Sequence, residues 1–530
     1  MLHSLTCLGG MVTAPHHLAA QAGLSVLRDG GNAVEAMVAA AAAIAVVYPH
    51  MNSIGGDGFW LIAEPGRDPV AVRACGAAAA LATPQFYADH GDAAIPTRGS
   101  RAALTAAGAV GGWARALAVA APWGKPLPLT RLLAEARHHA RQGVPVTRSQ
   151  VALTASKWAE CAQVSGFAET FAPRGLPVLN DVIANPRLGD TLEQLGRAGL
   201  DDFYRGDLAR SMAADLESVG SPVRLADLQA CRAEVVPALS VAVSAGRIFN
   251  QPPPTQGVSS LAILGIFDRL GVTEAEGFEH LHGLVESTKQ AFLWRNAHVG
   301  DPALMAVRGA DPQAFLSDAS LAARAARIDT RRAAPWPQPT LPGDTIWMGT
   351  ADASGRVCSY IQSIYWEFGS GVVLAGSGVN WQNRGASFTL GPGPNQLGPG
   401  RLPFHTLNPA MARLRDGRTL AYGTMGGEGQ PQTQAAVFSR HVLFGQNLQA
   451  AVSAPRWLLG RTWGEESTNL KVESRVEPAV IARLRAAGHD VQVVGAYEEM
   501  MGHAGAVQVH PGGVIEGATD PRADGVCAGF

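Results

Sequence analysis

From His16 to His50 the apolar positions fall into two runs divided by a glycine pair. In "HHLAAQAGLSVLRDGGNAVEAMVAAAAAIAVVYPH" this predicts two helices split at Gly30-Gly31. Glycine ends the first, and the Asn32 side chain can accept the free backbone N–H groups that open the second. "MNSIGGDGFWLIAEPG" follows, a glycine-rich turn running into a short apolar strand. Residues 100 to 330 read mostly as helices with Gly and Pro breaks, as in "LTRLLAEARHHARQG", "DLARSMAADLESVG" and "GFEHLHGLVESTKQAFLWRNAHVGD". The segment 331–344, "RRAAPWPQPTLPGD", has four prolines and no periodicity, and reads as a linker.

Strands come next. "TIWMGTAD" and "RVCSYIQSIYW" flank "ASG", a three-residue loop with glycine last, which predicts a hairpin of defined register. If Asp352 pairs with Arg356, counting back sets Thr345 opposite Ser363, with side chains on one face, provided no bulge interrupts the ladder. "EPAVIARLRAAGHDVQVV" then reads as helix and strand. Helices, strands and a final αβ stretch predict an α+β fold, a sheet core with helices outside.

Composition narrows the function. The chain has 530 residues, 47% hydrophobic and 16% charged, with a formal net charge of −2. That is enough for one large domain or several ordinary ones. The balance argues against nucleic acid or an anionic membrane as partner. The longest apolar run, "AMVAAAAAIAVVY", is too short to span a bilayer, and the N-terminus lacks the pattern of a secretion signal. Six cysteines are scattered with no CxxC pair, which points to packed thiols in a reducing, cytoplasmic setting. The His pairs at 16–17 and 138–139, and "HLH" at 280–282, read as helix-surface or capping residues. Neither a metal nor another cofactor is expected.

Thr345, directly after a Pro-Gly-Asp turn, is the chemical candidate. Threonine is common where strands begin, so the position alone is ambiguous. A threonine hydroxyl is a poor nucleophile without a base beside it. Cutting the Asp344–Thr345 bond would supply one, because a free α-amino group titrates at about 7.7–8.0. The same hydroxyl could make the cut by attacking the Asp344 carbonyl, and Gly343 would give the backbone freedom for that turn. Taken singly, "TMGGEG" is an ordinary glycine-rich turn and "IGGDG" a tight bend; neither has the GxGxxG of a dinucleotide loop.

Together the motifs carry more. From "MVTAPHHLAAQAGLSVLRDGGNAVEAMVAAAAAIAVVYPHMNSIGGDGFW" through "NQPPPTQG" (250–257), "GDTIWMGTADASG", "FGSGVVLAGSGVNWQN", "YGTMGGEG" and "GATDPRADG", the chain resembles the γ-glutamyltranspeptidase family of N-terminal nucleophile hydrolases along nearly its whole length. The resemblance implies a four-layer αββα sandwich. It also implies a proenzyme that cuts itself into a large subunit, 1–344, and a small one, 345–530. Two cleaved chains could then pair as a heterotetramer. Carried over by position, Thr345 is the nucleophile, Ser363 the second hydroxyl (a Thr in typical members), and Gly426 and Gly427 the oxyanion hole.

The substrate pocket departs from the family. Where typical members hold a substrate ammonium with Asp and Asn, this chain has Ser387 and Tyr365. His405 and Thr406 replace two Ser, and the family's carboxylate-binding Arg has no aligned match, Arg73 being nearest. A buried ammonium without a charge partner is costly, so the pocket is expected to reject α-amino acids. A carboxylate would still be accepted if Arg73, His405 or Thr406 points inward. Tyr365, Trp347 and Trp366 would line or cap a small site, though core packing explains Trp347 equally well. "NRGASF" and "PFHTLNP" resemble the oxamate amidohydrolase branch, which implies a small amide, oxamate, cleaved to oxalate and ammonia. A γ-glutamyl hydrolase or transferase, a broader acylase, and an uncleaved non-catalytic scaffold are the alternatives.

Overall fold

Strands Asp57–Ala63 and Val357–Tyr365 are buried at every position, which requires cover on both faces of their sheet. In a computed structural model that describes residues 3–338, 343–461 and 467–530, that cover is a second sheet on one side and helices on the other. The first sheet has seven strands in the spatial order Val526–Gly529, Gly10–Ala14, Asp344–Asp352, Val357–Tyr365, Asp57–Ala63, Val70–Ala74 and Glu234–Val236. The second runs Leu5–Cys7, Ile515–Thr519, Ala504–Val509, Thr419–Thr424, Ala410–Leu414, Gly246–Asn250 and Leu239–Val243. Every neighbour pair in both sheets is antiparallel.

Met11, Phe59, Leu61, Trp347, Ile361, Met411 and Val507 fill the space between the sheets. Helices His17–Arg28 and Ala33–Val47 cover the outer face of the first sheet, and Gly257–Asp268, Phe278–His298 and Gln430–Phe438 that of the second. This is the four-layer αββα sandwich that the family resemblance implies. All fifteen residues of Ala33–Val47 are buried, and their small side chains let it lie between the sheet and a further helix, Ala134–Gln142. Asn32 caps it as expected: its Oδ1 accepts the Val34 and Glu35 N–H groups at 3.0 and 3.1 Å, and Glu35 accepts the Asn32 N–H in return.

Two expectations change. The stretch 100–330 is mostly helical, but Glu234–Val236, Leu239–Val243 and Gly246–Asn250 within it are strands of the two sheets. These are three to five residues long, too short for their alternation to stand out among helices. The "HLH" histidines are buried rather than on a helix surface. His282 and His489 hydrogen-bond each other at 2.8 Å, and Glu286 accepts from Lys289 and the Ala334 N–H. Of the linker, residues 339–342 lie outside the described residues.

Candidate active site

Alternation along the first sheet decides what faces the inter-sheet space. Trp347 and Ile361 face it, and so do Phe59 and Leu61 on the next strand. Counting by two from these places Thr345, Ser363 and Asp57 on that face, at one end of three adjacent strands. Ser363 and Asp57 are directly paired. The register counted from the loop holds from Ala351↔Val357 to Ile346↔Gln362, then shifts at a bulge, beyond which Asp344 pairs with Tyr365. Thr345 therefore opposes both Ser363 and Ile364 rather than Ser363 alone. Thr345 and Ser363 are both buried.

The extra residue of the bulge re-aims the end of the strand. Ser363 Oγ accepts the Tyr365 N–H at 2.8 Å, and Tyr365 adopts a left-handed φ of 84°, uncommon for a bulky side chain. The "IGGDG" bend makes room for this strand end: a Cβ on Gly56 would lie 2.1 Å from the Ser363 carbonyl oxygen.

The opposite wall comes from the turn after strand Thr419–Thr424. Gly426 and Gly427 both have positive φ, 116° and 50°. A Cβ on Gly427 would meet the Gly343 carbonyl oxygen at 2.9 Å, so this turn lies against the backbone just before Thr345. Gln256, from "NQPPPTQG", holds the turn by donating to the carbonyls of Gly427 and Thr406, each at 2.8 Å. Arg295 donates to Gln256 Oε1 at 2.9 Å and pairs with Glu428 at 3.0 Å, all buried. Neither Gln256, Arg295 nor Glu428 is legible as a site residue in the sequence; the motifs that contain Gln256 and Glu428 are, while the segment of Arg295 reads only as a helix.

Gly343 also touches the pocket residues, since a Cβ there would lie 3.4 Å from Tyr365 Cε2 and 3.5 Å from Thr406 Oγ1. Thr406 and His405 are buried, and among the described residues no hydrogen bond meets Thr406 Oγ1 or either His405 ring nitrogen. His405 Nε2 is 3.4 Å from Asp57 Oδ2, while Asp57 Oδ1 accepts the Gly76 and Gly108 N–H groups. Burial pushes the Asp57 carboxyl up to about 7 and holds His405 well below its ordinary value, so His405 is neutral. Ser387 sits on the short turn Arg384–Ser387, its buried hydroxyl without a partner among the described residues.

Arg73 is drawn elsewhere, paired with Glu234 at 2.5 Å on the neighbouring edge strand. The cation beside Tyr365 is Arg384, buried, with its guanidinium carbon 3.8 Å from the Tyr365 ring centroid. The sequence offers it only as one letter of "NRGASF", because nothing in a sequence announces burial. Trp347 resolves to core packing. Its ring fills the inter-sheet layer, close against Gly423 and Gly505 of the second sheet, and its Nε1 donates to Ser359. "GATDPRADG" contributes a buried ion-pair network, Asp520 and Arg522 with Arg456 and Glu473. A cavity of about 900 Å³ is lined by residues such as His16, Arg148 and Tyr497 and includes none of the site residues. A smaller one of about 230 Å³ lies against Phe404 and Glu428, next in sequence to His405 and Gly427.

This fold is that of the N-terminal nucleophile hydrolases. The chain belongs to the γ-glutamyltranspeptidase family, whose model, gamma-glutamyltranspeptidase, matches residues 19–530. It is 53% identical over 524 residues to the oxamate amidohydrolase proenzyme of Klebsiella pneumoniae subsp. pneumoniae, covering 98% of each chain. It is 38% identical to the glutathione hydrolase-like YwrD proenzyme of Bacillus subtilis, again covering 98% of each. Among solved structures, the cephalosporin acylase from Bacillus halodurans superposes with a TM-score of 0.90 at 32% identity, covering 99% of this chain and 97% of that one. The chain is thus an enzyme, an amidohydrolase of this family.

Proposed function

We propose that this chain is a proenzyme that cuts itself between Asp344 and Thr345 and then hydrolyses oxamate. Thr345 Oγ attacks the Asp344 carbonyl carbon, the peptide C–N bond breaks as its nitrogen takes the hydroxyl proton, and an ester results. Water hydrolyses the ester, leaving fragments 1–344 and 345–530 and a free α-amine on Thr345. In turnover that amine takes the Thr345 hydroxyl proton, and Oγ adds to the amide carbon of the substrate. The N–H groups of Gly426 and Gly427 receive the negative oxygen, each such donor contributing about 2.7–4 kcal/mol in measured cases. The C–N bond breaks as the proton passes to the leaving nitrogen, and ammonia departs. Water, deprotonated by the same amine, releases oxalate from the oxalyl ester. Ser363 orients the Thr345 hydroxyl.

The observation that carries the chemistry is the Gly343 backbone lying against Gly427 and Tyr365, two residues before a buried threonine. The substrate reading draws its support from the 53% identical relative and from Ser387 and Tyr365, which stand where typical members hold an ammonium with Asp and Asn. His405 and Thr406 complete the proposed substrate-contacting set, from which Arg73 is held back by Glu234. Free thiols at all six cysteines favour a cytoplasmic setting, and a heterotetramer of two cleaved chains is the assembly proposed. Steady-state ammonia release tests the function. Oxamate should turn over at least 100-fold more efficiently than a γ-glutamyl anilide, a gap typical of a missing charge partner (~10²–10⁵). Efficient γ-glutamyl turnover with inert oxamate would refute the proposal.

A further inference from the structure

Among the buried cations described near the site, Arg384 is the one with no carboxylate at ion-pair distance, Asp57 being near enough only for its charge to be felt. Arg295 has Glu428, and the more exposed Arg73 has Glu234. Arg384 makes one long hydrogen bond, 3.4 Å, to the Phe404 carbonyl, and among the described residues its Nη2 has no acceptor. A guanidinium has five N–H donors, so most of this one's capacity is unspent in a place water does not reach. Leaving a charge in that condition is expensive unless an anion arrives to meet it.

The neighbours say where the anion would lie. The guanidinium carbon sits over the Tyr365 ring, 3.8 Å from its centroid. The edge of the same ring lies 3.4 Å from a Cβ built on Gly343, the residue whose backbone leads into the Thr345 bond. Tyr365 is thus a shared wall between the guanidinium and the acylation position. Ser387 follows Arg384 by three on a 3₁₀ turn, where side chains at that spacing eclipse, and its hydroxyl is also unpartnered. Thr406 adds a second hydroxyl without a partner among the described residues, beside Gly343.

We infer that Arg384, braced by the Tyr365 ring and assisted by the Ser387 hydroxyl, binds the carboxylate of the substrate's acyl half. The inference rests on the amidohydrolase reading above and adds its specificity determinant. It names the substrate class as short amides that bear a carboxylate close to the scissile carbonyl and no ammonium. A substrate ammonium would meet the guanidinium as a like charge, so the pocket repels amino-acid substrates as well as failing to hold them.

The test uses Arg384→Gln and Arg384→Lys, each checked for the two fragments on a denaturing gel. Ammonia release is measured with oxamate and with its neutral analogue oxamide, and oxalate binding by calorimetry. Arg384→Gln should lose at least roughly 100-fold in kcat/KM on oxamate, less than about threefold on oxamide, and its oxalate binding. Arg384→Lys should recover part of the oxamate activity. Oxamate and oxamide falling together, no loss on oxamate, or failure of both variants to self-cleave would assign Arg384 to the fold and overturn the inference. If the native enzyme leaves oxamate untouched, the functional reading fails, yet the anchor is still judged by whether oxalate binds the native protein and not Arg384→Gln.

Discussion

Asp57 enters the site with one oxygen tied to two backbone N–H groups and the other facing His405. Desolvation raises its carboxyl to about 7, partly offset by those N–H bonds and by Arg384. The folded chain therefore holds a proton between about pH 4 and 7 that the unfolded chain has released, so stability falls as pH rises through that window. Asp57→Asn keeps the acceptor for both N–H groups and cannot ionise. In the uncut Thr345→Ala background, where unfolding involves a single chain, the stability of Asp57→Asn relative to Asp57 should climb between pH 4 and 7. The climb is on the order of a few kcal/mol, with a plateau above pH 7. Urea denaturation at several pH values measures it, and a flat difference would show that the carboxyl is ionised throughout.

At the scale of elements, the proposed working parts are a bulged strand end and a glycine turn pressed together. Alanine at Gly427 would be strained at a φ of 50° and would push on the Gly343 carbonyl. Displacing the scissile backbone by about an ångström costs on the order of 100-fold in rate, so Gly427→Ala should fold but self-cut about 100-fold more slowly. A gel time course after synthesis reads this directly, and cutting at the native rate would remove the turn from the mechanism. The hairpin was legible because a three-residue loop with terminal glycine sets a register, and that register led to Ser363 without the structure. The bulge was not, because it is the surrounding packing at Gly56 and Tyr365 that forces it. Helix ends marked by Gly30 and Asn32 were equally readable, whereas the strands between 234 and 250 are too short to betray their period. Arg384 and Asp57 were illegible for a different reason: their chemistry comes from losing water and partners, which no spacing records. The pocket substitutions at Tyr365 and Ser387 could be read as missing an ammonium partner, but not as flanking the carboxylate site proposed above.

On the scale of the whole molecule, the segments before and after Thr345 interleave in both sheets. The strand Asp344–Asp352 lies between Gly10–Ala14 and Val357–Tyr365, and Ala410–Leu414 lies beside Gly246–Asn250. Bonds such as Thr350 Oγ1 to the Ala33 carbonyl and Gln256 to Gly427 stitch the halves together. A cut at one strand end leaves all of these intact, so the cleaved protein should elute as one particle from a native sizing column and split only under denaturant. Separation of the fragments without denaturant would contradict the interleaved arrangement. The central claim is that the nucleophile is made by breaking the chain in front of Thr345, and intact mass spectrometry of active, denatured protein tests it most directly. Two polypeptides are predicted, 1–344 and 345–530, with Thr345→Ala giving one uncut chain. Active protein of a single mass, or a second polypeptide that begins at any other residue, would contradict it.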